Sequence, residues 1–161
     1  MTTKGILLIE DDENDVFLLR NVFERAGIAN PLHFVTDGQM ATDYLSGKGQ
    51  FSDRQKYPLP CLVLTDLKLP KKSGLEVLEW IRHQPRLKKL VVVVFSSSAL
   101  PKDVDKAYEL GANAYIQKTA DPDQLKEIAY LFKGWWLGHN HFAQIGESRR
   151  ADAADTREQN P

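Results

Sequence analysis

The sequence predicts an α/β fold: a doubly wound, five-stranded parallel sheet with helices on both faces. Three observations predict it. Short apolar runs alternate with helical patterns five times along the 161 residues, the order that successive βαβ units produce. Val91 to Phe95 is an unbroken β-branched and aromatic run, as a strand covered on both faces requires. Four of the runs lead into a charged or hydroxyl residue: Glu10-Asp11, Asp66, Ser96 and Lys118. In a parallel sheet those positions share one edge.

The elements follow in order. Ile6 to Ile9 reads as a buried strand. Asp12 or Asn14 can cap the next helix, whose apolar positions Val16, Leu19, Phe23 and Ala26 recur at helical spacing before Gly27 stops it. Leu32 to Val35 is the second strand, and Gln39 to Leu45 the second helix, with Ala41 and Leu45 inward. Ser46 to Pro60 is polar and holds glycines and prolines, so a loop is expected. Cys61 to Thr65 is the third strand, and Gly74 to His83 a helix with Leu75, Leu78 and Ile81 inward. After the strand Val91 to Phe95, Pro101 opens a helix with Val104, Ala107 and Leu110 on one face and Gly111 past its end. Asn113 to Gln117 is the fifth strand. Asp121 caps the last helix, with Pro122 at N1 and Gln124 at N3 as a capping-box variant. Leu125, Ile128, Ala129 and Phe132 form its buried stripe.

Composition narrows the function. The formal net charge is -1, so no bulk electrostatic attraction to nucleic acid is expected. No apolar run approaches the roughly 20 residues of a membrane span, and no signal-peptide layout precedes the first strand. The single cysteine, Cys61, sits in a predicted buried strand and suits a bacterial-type, cytoplasmic setting. His33, His83, His139 and His141 are not spaced as a metal site.

The sheet edge carries the chemistry. A carboxylate after a buried strand is costly unless something there needs it. Three carboxylates, a hydroxyl and an ammonium on one edge can bind a divalent cation and move a phosphoryl group. In α/β sheets ligands bind at the carboxyl ends of the strands. Clustered carboxylates repel, so without metal at least one should have a raised pKa.

The ordered set Glu10-Asp11, Asp66 with Leu67-Lys68-Leu69-Pro70 and Gly74, Ser96, Tyr115 and Lys118 resembles the receiver domain of two-component response regulators. The resemblance covers residues 4–137 and implies a flavodoxin-like strand order of 2-1-3-4-5. Residues 138–161 then form a C-terminal extension, expected to be disordered from Glu147. The stretch Leu69 to Leu78 and the long loop before Cys61 are similar to stand-alone regulators that partner bacterial phytochromes.

By this resemblance Asp66 is the phosphoacceptor. Glu10, Asp11, Asp66 and the backbone carbonyl of Lys68 hold Mg²⁺, with water completing the octahedron. Asp12 reads instead as a helix cap. Ser96 donates its hydroxyl to the phosphoryl group, although Ser97 and Ser98 leave room for a shift of register. Lys118 pairs with a carboxylate at rest and with the phosphoryl group after transfer. The family usually has a proline after this lysine, joined by a cis bond; this chain has Thr119. Either the bond is trans with a shifted loop, or it is cis and strained by about 2.5–4 kcal/mol. Tyr115 is the switch aromatic, moving with Ser96, and Lys68 flanks the hydrolytic water.

No DNA-binding unit is visible after the fifth helix, so the expected output is a protein–protein contact. Trp135, Trp136, Leu137 and Phe142 crowd the end of that helix. They form a homodimer interface, or the tail folds back and buries them. The expected function is that of a single-domain response regulator phosphorylated by a sensor histidine kinase, catalysing only its own phosphorylation and dephosphorylation. The alternative is a phosphate-independent adaptor or fixed dimer of the same fold. A phosphohydrolase with an aspartyl nucleophile typically wants a second acid two residues on, where this chain has Lys68.

Overall fold

The computed structural model describes residues 4–146, and the disorder expected from Glu147 lies outside them. Five strands, β1 (Ile6–Ile9), β2 (Leu32–Val35), β3 (Leu62–Thr65), β4 (Val91–Ser96) and β5 (Ala114–Gln117), form one parallel sheet in the order β2-β1-β3-β4-β5. Helices α1 (Glu13–Arg25), α2 (Gly38–Ser46), α3 (Gly74–His83), α4 (Pro101–Glu109) and α5 (Pro122–Phe132) connect and cover it. This is the doubly wound arrangement that the sequence predicts, in the flavodoxin-like strand order that the resemblance implies.

The strand period of two splits the core into layers. Ile6, Leu8, Leu62, Leu64, Val93 and Phe95 face one side, against Val16, Leu19 and Phe23 of α1 and Leu125, Ala129 and Phe132 of α5. Leu7, Ile9, Val63 and Val92 face the other, against Ala41, Tyr44 and Leu45 of α2 and Val77, Leu78 and Ile81 of α3. Leu67, Val94 and Ala107 make a smaller cluster under α4, where Leu75 also packs.

Several local expectations change. Leu75 is only half-buried, and Val77 occupies the fully buried place on α3, because Leu75 faces the small α4 cluster. In α4 only Ala107 is buried, while Val104 and Leu110 are half-exposed. The helix rests lightly on β4 and β5, the latter an edge strand with no fully buried residue. The segment from Ser46 to Pro60 is more than a polar loop. It carries a 3-10 turn at Gly49–Phe51, and Phe51 and Tyr57 pack their rings about Tyr44 at centroid distances of 5.2 and 5.9 Å. Arg54 ties this segment down by donating to the carbonyls of Tyr44, Leu45 and Tyr57. The buried Tyr44 hydroxyl donates to the Pro58 carbonyl, and burial pushes its pKa up to about 12.

Asp12, rather than Asn14, caps α1, accepting from the amides of Asn14 and Asp15. At α5 the Asp121 carboxylate accepts from Asp123 and Gln124, but Gln124 does not reach back to the Asp121 amide. The Thr119 hydroxyl stands between them, accepting from the Asp121 amide and donating to Gln124 Oε1. The full reciprocal capping box lies at α3, between Ser73 and Glu76.

Past α5 the chain continues as a π-helical segment, Lys133–His139, and then folds back. Trp136 and Phe142 pack against the α1/α5 layer and Ile145 against the opposite layer. The Gly146 amide donates to the Arg86 carbonyl, and Arg86 Nε donates back to the Gly146 carbonyl at 2.6 Å. Trp135 stays 64% exposed, as does Leu131. Among the described residues no helix is long and apolar enough to cross a membrane.

Candidate functional site

Strand register builds the site. Ile9 lies opposite Thr65 in the β1–β3 pair, so the residues that follow, Glu10 and Asp66, leave the sheet side by side. The Asp66 amide donates to the Ile9 carbonyl at 3.1 Å, and the Glu10 amide to the Val35 carbonyl at 3.0 Å. Across the sheet, Ser96 pairs with Gln117, and the Lys118 amide donates to the Ser96 carbonyl at 2.8 Å. Four strands thus deliver Glu10, Asp66, Ser96 and Lys118 to one edge.

Glu10, Asp11 and Asp66 each offer a carboxylate oxygen within 4.8 Å of the others, a donor set that fits one divalent cation. Glu10 is buried and Asp11 exposed, while the Asp66 side chain is 12% accessible. Lys68 follows in the exposed β3–α3 loop.

Lys118 joins these acids from the opposite side. Its Nζ donates to Glu10 Oε2 at 2.5 Å, Asp66 Oδ2 at 2.7 Å and Asp15 Oδ2 at 2.9 Å. The remaining Asp66 oxygen, Oδ1, accepts from the Leu67 amide at 2.6 Å, and Glu10 Oε1 from the Asp12 amide at 3.1 Å. The Lys118–Thr119 bond is trans, since the described chain holds no cis peptide, and the lysine still reaches the acids.

Burial raises the Glu10 pKa, and the Lys118 hydrogen bond offsets part of the rise. The repulsion of Asp66 adds to it, but desolvation, not the crowding of acids, is the larger cause. Burial alone would lower the Lys118 pKa. Hydrogen bonds to Asp66, Glu10 and Asp15 overcome that cost and carry it well above the ordinary lysine value.

Ser96 ends β4 and is buried, whereas Ser97 is exposed. The Ser98 hydroxyl is committed to Asp103 Oδ2, and the Ser96 hydroxyl oxygen accepts from the Ser98 amide at 3.2 Å. The half-buried Tyr115 donates its hydroxyl to the Ser98 carbonyl at 2.9 Å, so ring and β4–α4 loop are tied together.

The β3–α3 loop is packed tightly. A Cβ on Gly74 would lie 1.9 Å from the Asp66 carbonyl oxygen, and one on Gly38 would lie 2.0 Å from that of Lys72. The Gly38 amide donates to the Pro70 carbonyl, and Lys71, at φ 65°, pairs with Asp37 at 3.3 Å. The start of α2 therefore braces the loop that follows Asp66.

Asp15 was not singled out by sequence reasoning. Its signal was available: it precedes Leu19 of the buried stripe by one helical turn, and so borders the core-facing side of α1. Trp135 is exposed beside Leu131, whereas Trp136 is half-buried against the core.

Residues 6–130 match the response regulator receiver domain. FilR2 of Methanothrix harundinacea, a probable methanogenesis regulatory protein, is 37% identical over 138 residues, 84% of each chain. Response regulator Rcp1 of Synechocystis sp. is 37% identical over 134 residues, 83% of this chain and 89% of Rcp1. The crystal structure of its Mn²⁺-bound form aligns with a TM-score of 0.78, over 87% of this chain and 99% of that one. The phosphorylated cyanobacterial phytochrome response regulator RcpA aligns with a TM-score of 0.80 at 35% identity, over 88% of this chain and 99% of its own. With this match, this fold and this set of acids, the chain belongs to the response regulator receiver family.

Proposed function

We propose that this protein is a phosphorylation-controlled signalling switch in which Asp66 accepts a phosphoryl group from a sensor histidine kinase. The observation that carries the reading is the Lys118 ammonium on Asp66 Oδ2, with Glu10 and Asp11 beside it. An acidic trio with one lysine at a sheet edge suits phosphoryl transfer, which needs positioning and charge neutralisation more than covalent chemistry.

The Asp66 carboxylate is the nucleophile. It attacks phosphorus in line, the O–P bond forms as the P–N bond of the phosphohistidine breaks, and the imidazole leaves. Glu10, Asp11, Asp66 and the Lys68 carbonyl would hold Mg²⁺. When bound, Mg²⁺ supplies positive charge that offsets the negative charge gathering on the phosphoryl group. Lys118 moves from the Asp66 carboxylate to a phosphoryl oxygen, and Ser96 donates its hydroxyl to another. Tyr115 follows Ser96 and the β4–α4 loop, to which its hydroxyl is bonded. The group added carries about two negative charges, enough to bias such a two-state element. The protein catalyses only its own phosphorylation and dephosphorylation.

The described phytochrome regulators among its relatives support a bacterial phytochrome as the kinase. Output passes through protein contact in the cytoplasm, without nucleic acid or membrane. The exposed side chains of Leu131 and Trp135, with Tyr130 half-exposed, support homodimerisation across the end of α5, with Trp136 anchoring that end to the core. On this reading the receiver domain is 4–137 and the extension 138–161.

Intact mass after incubation with a small phosphoramidate tests the central step. One phosphoryl adduct is expected, dependent on Mg²⁺ and absent in Asp66→Asn. No adduct on folded, metal-loaded protein would favour the phosphate-independent adaptor.

A further inference from the structure

Lys118 has one more carboxylate than phosphoryl transfer calls for. Its three N–H groups are spent on Glu10, Asp66 and Asp15, and the side chain is only 13% accessible. Two of those partners, Glu10 and Asp66, are also acids of the trio that fits a cation. Lysine and cation therefore draw on the same carboxylates. Asp15 is different. It stands on the first turn of α1, outside the trio, with its side chain 36% accessible.

We propose that Asp15 is the retaining partner of Lys118: it keeps the ammonium paired while Glu10 and Asp66 turn to the divalent cation and the phosphoryl group. This rests on the reading of Glu10, Asp11 and Asp66 as the Mg²⁺ site. The physical reason is desolvation. An ammonium this enclosed is costly without acceptors, so moving its partners to another cation needs a place for it to remain paired. The stem of Lys118 fixes where that place is. Nζ lies 6.0 Å from the centre of the Phe95 ring, and Lys118 lines a small cleft together with Asp15, Leu18, Leu19 and Leu125. The Asp15 contact already stands at 2.9 Å, so the ammonium keeps a partner there without leaving the site. Asp15 is thus a positioning residue, acting through Lys118.

Calorimetric titration with Mg²⁺ tests it. Asp15→Asn keeps the shape and removes the charge, and it should weaken Mg²⁺ binding about fivefold, the size of one partly exposed ion pair. Glu13→Gln removes the other acid of the same helical turn, exposed and with no hydrogen bond to Lys118, and should change affinity less than twofold, a general field effect. Asp15→Glu should restore most of the loss. In a Lys118→Met background, Asp15→Asn should cost no more than Glu13→Gln, because the ammonium it serves is gone. An Asp15→Asn titration matching that of Glu13→Gln would overturn the role of Asp15 and leave the metal site standing. So would a fivefold loss that persists without Lys118. Wild-type protein that binds no Mg²⁺ would overturn the site reading, and this proposal with it. If Lys118→Met does not fold, the comparison of Asn, Glu and Gln variants decides alone.

Discussion

Lys118 Nζ sits 2.7 Å from Asp66 Oδ2, so the proposed phosphoacceptor is held at rest by the chain's own cation. The pair joins the ends of β3 and β5, with β4 between them. Lys118→Met should therefore cost about 3 kcal/mol, because it leaves nearly enclosed carboxylates without their counter-ion. Mg²⁺ should recover more stability in this variant than in the wild type, since it then meets no competing ammonium. Thermal melts with and without Mg²⁺ check both statements. Equal Mg²⁺ responses in the two proteins would show that lysine and cation do not share acceptors.

Glu10 makes a pH prediction. Its folded pKa is raised, so the native state holds the proton more tightly than the unfolded chain. By linkage its contribution is fully present below the ordinary glutamate value of 4.5 and is lost as pH rises through the folded pKa. Glu10→Gln should then stabilise the metal-free protein at pH 7, on the order of 1 kcal/mol, and flatten the decline above pH 4.5. Denaturant midpoints from pH 4 to 8 would show it. A wild-type midpoint that rises through that interval, unless Glu10→Gln removes a fall beneath it, counts against the assignment.

The architecture was legible because buried strands flanked by cap and stop residues leave few alternatives. Ile6 to Ile9 and Val91 to Phe95 admit no amphipathic helix facing solvent, and Asp12, Gly27 and Gly111 mark helix ends in the positions they take in the structure. The residues of the edge could be placed for the same reason, since each ends a strand or stands within two residues of its end. What could not be read depends on contacts between distant segments. Phe51 and Tyr57 look like loop residues until Tyr44 is found beneath them. Asp15 looks like one of several first-turn acids until β5 brings Lys118 to it. Thr119 intervenes in the α5 cap because its hydroxyl accepts from the Asp121 amide and donates to Gln124 Oε1, standing in for their direct bond.

The two close approaches of glycine make a graded prediction. Alanine at 74 would drive a methyl into the Asp66 carbonyl, and alanine at 38 into the Lys72 carbonyl, both backbone atoms that cannot rotate away. Each should cost about 2–3 kcal/mol. Gly134→Ala meets nothing within 4 Å and should be neutral or slightly stabilising. Phosphoramidate labelling of whatever folds should fall further for Gly74→Ala than for Gly38→Ala, since the first displaces the peptide of Asp66, the proposed phosphoacceptor. Comparable labelling of Gly74→Ala and wild type would mean that the loop relaxes away from Asp66 without moving its carboxylate.

Trp135 and Leu131 carry the test of the proposed dimer. Each is 64% exposed on the last turns of the chain's helical end, while the neighbouring Trp136 is anchored in the α1/α5 layer. Exposed apolar side chains on a rigid, anchored platform lose little conformational freedom on association, which is what an interface core needs. Trp135→Glu places a charge at the centre of that patch and touches nothing in the core, so folding stability should change by less than about 0.5 kcal/mol. The dissociation constant of the dimer should rise at least tenfold, as for loss of a central aromatic contact. Sedimentation velocity across a concentration series, with and without a phosphoryl donor, measures it. A wild type that stays monomeric in both conditions removes the dimer, and a dimer that ignores Trp135→Glu moves the interface off α5.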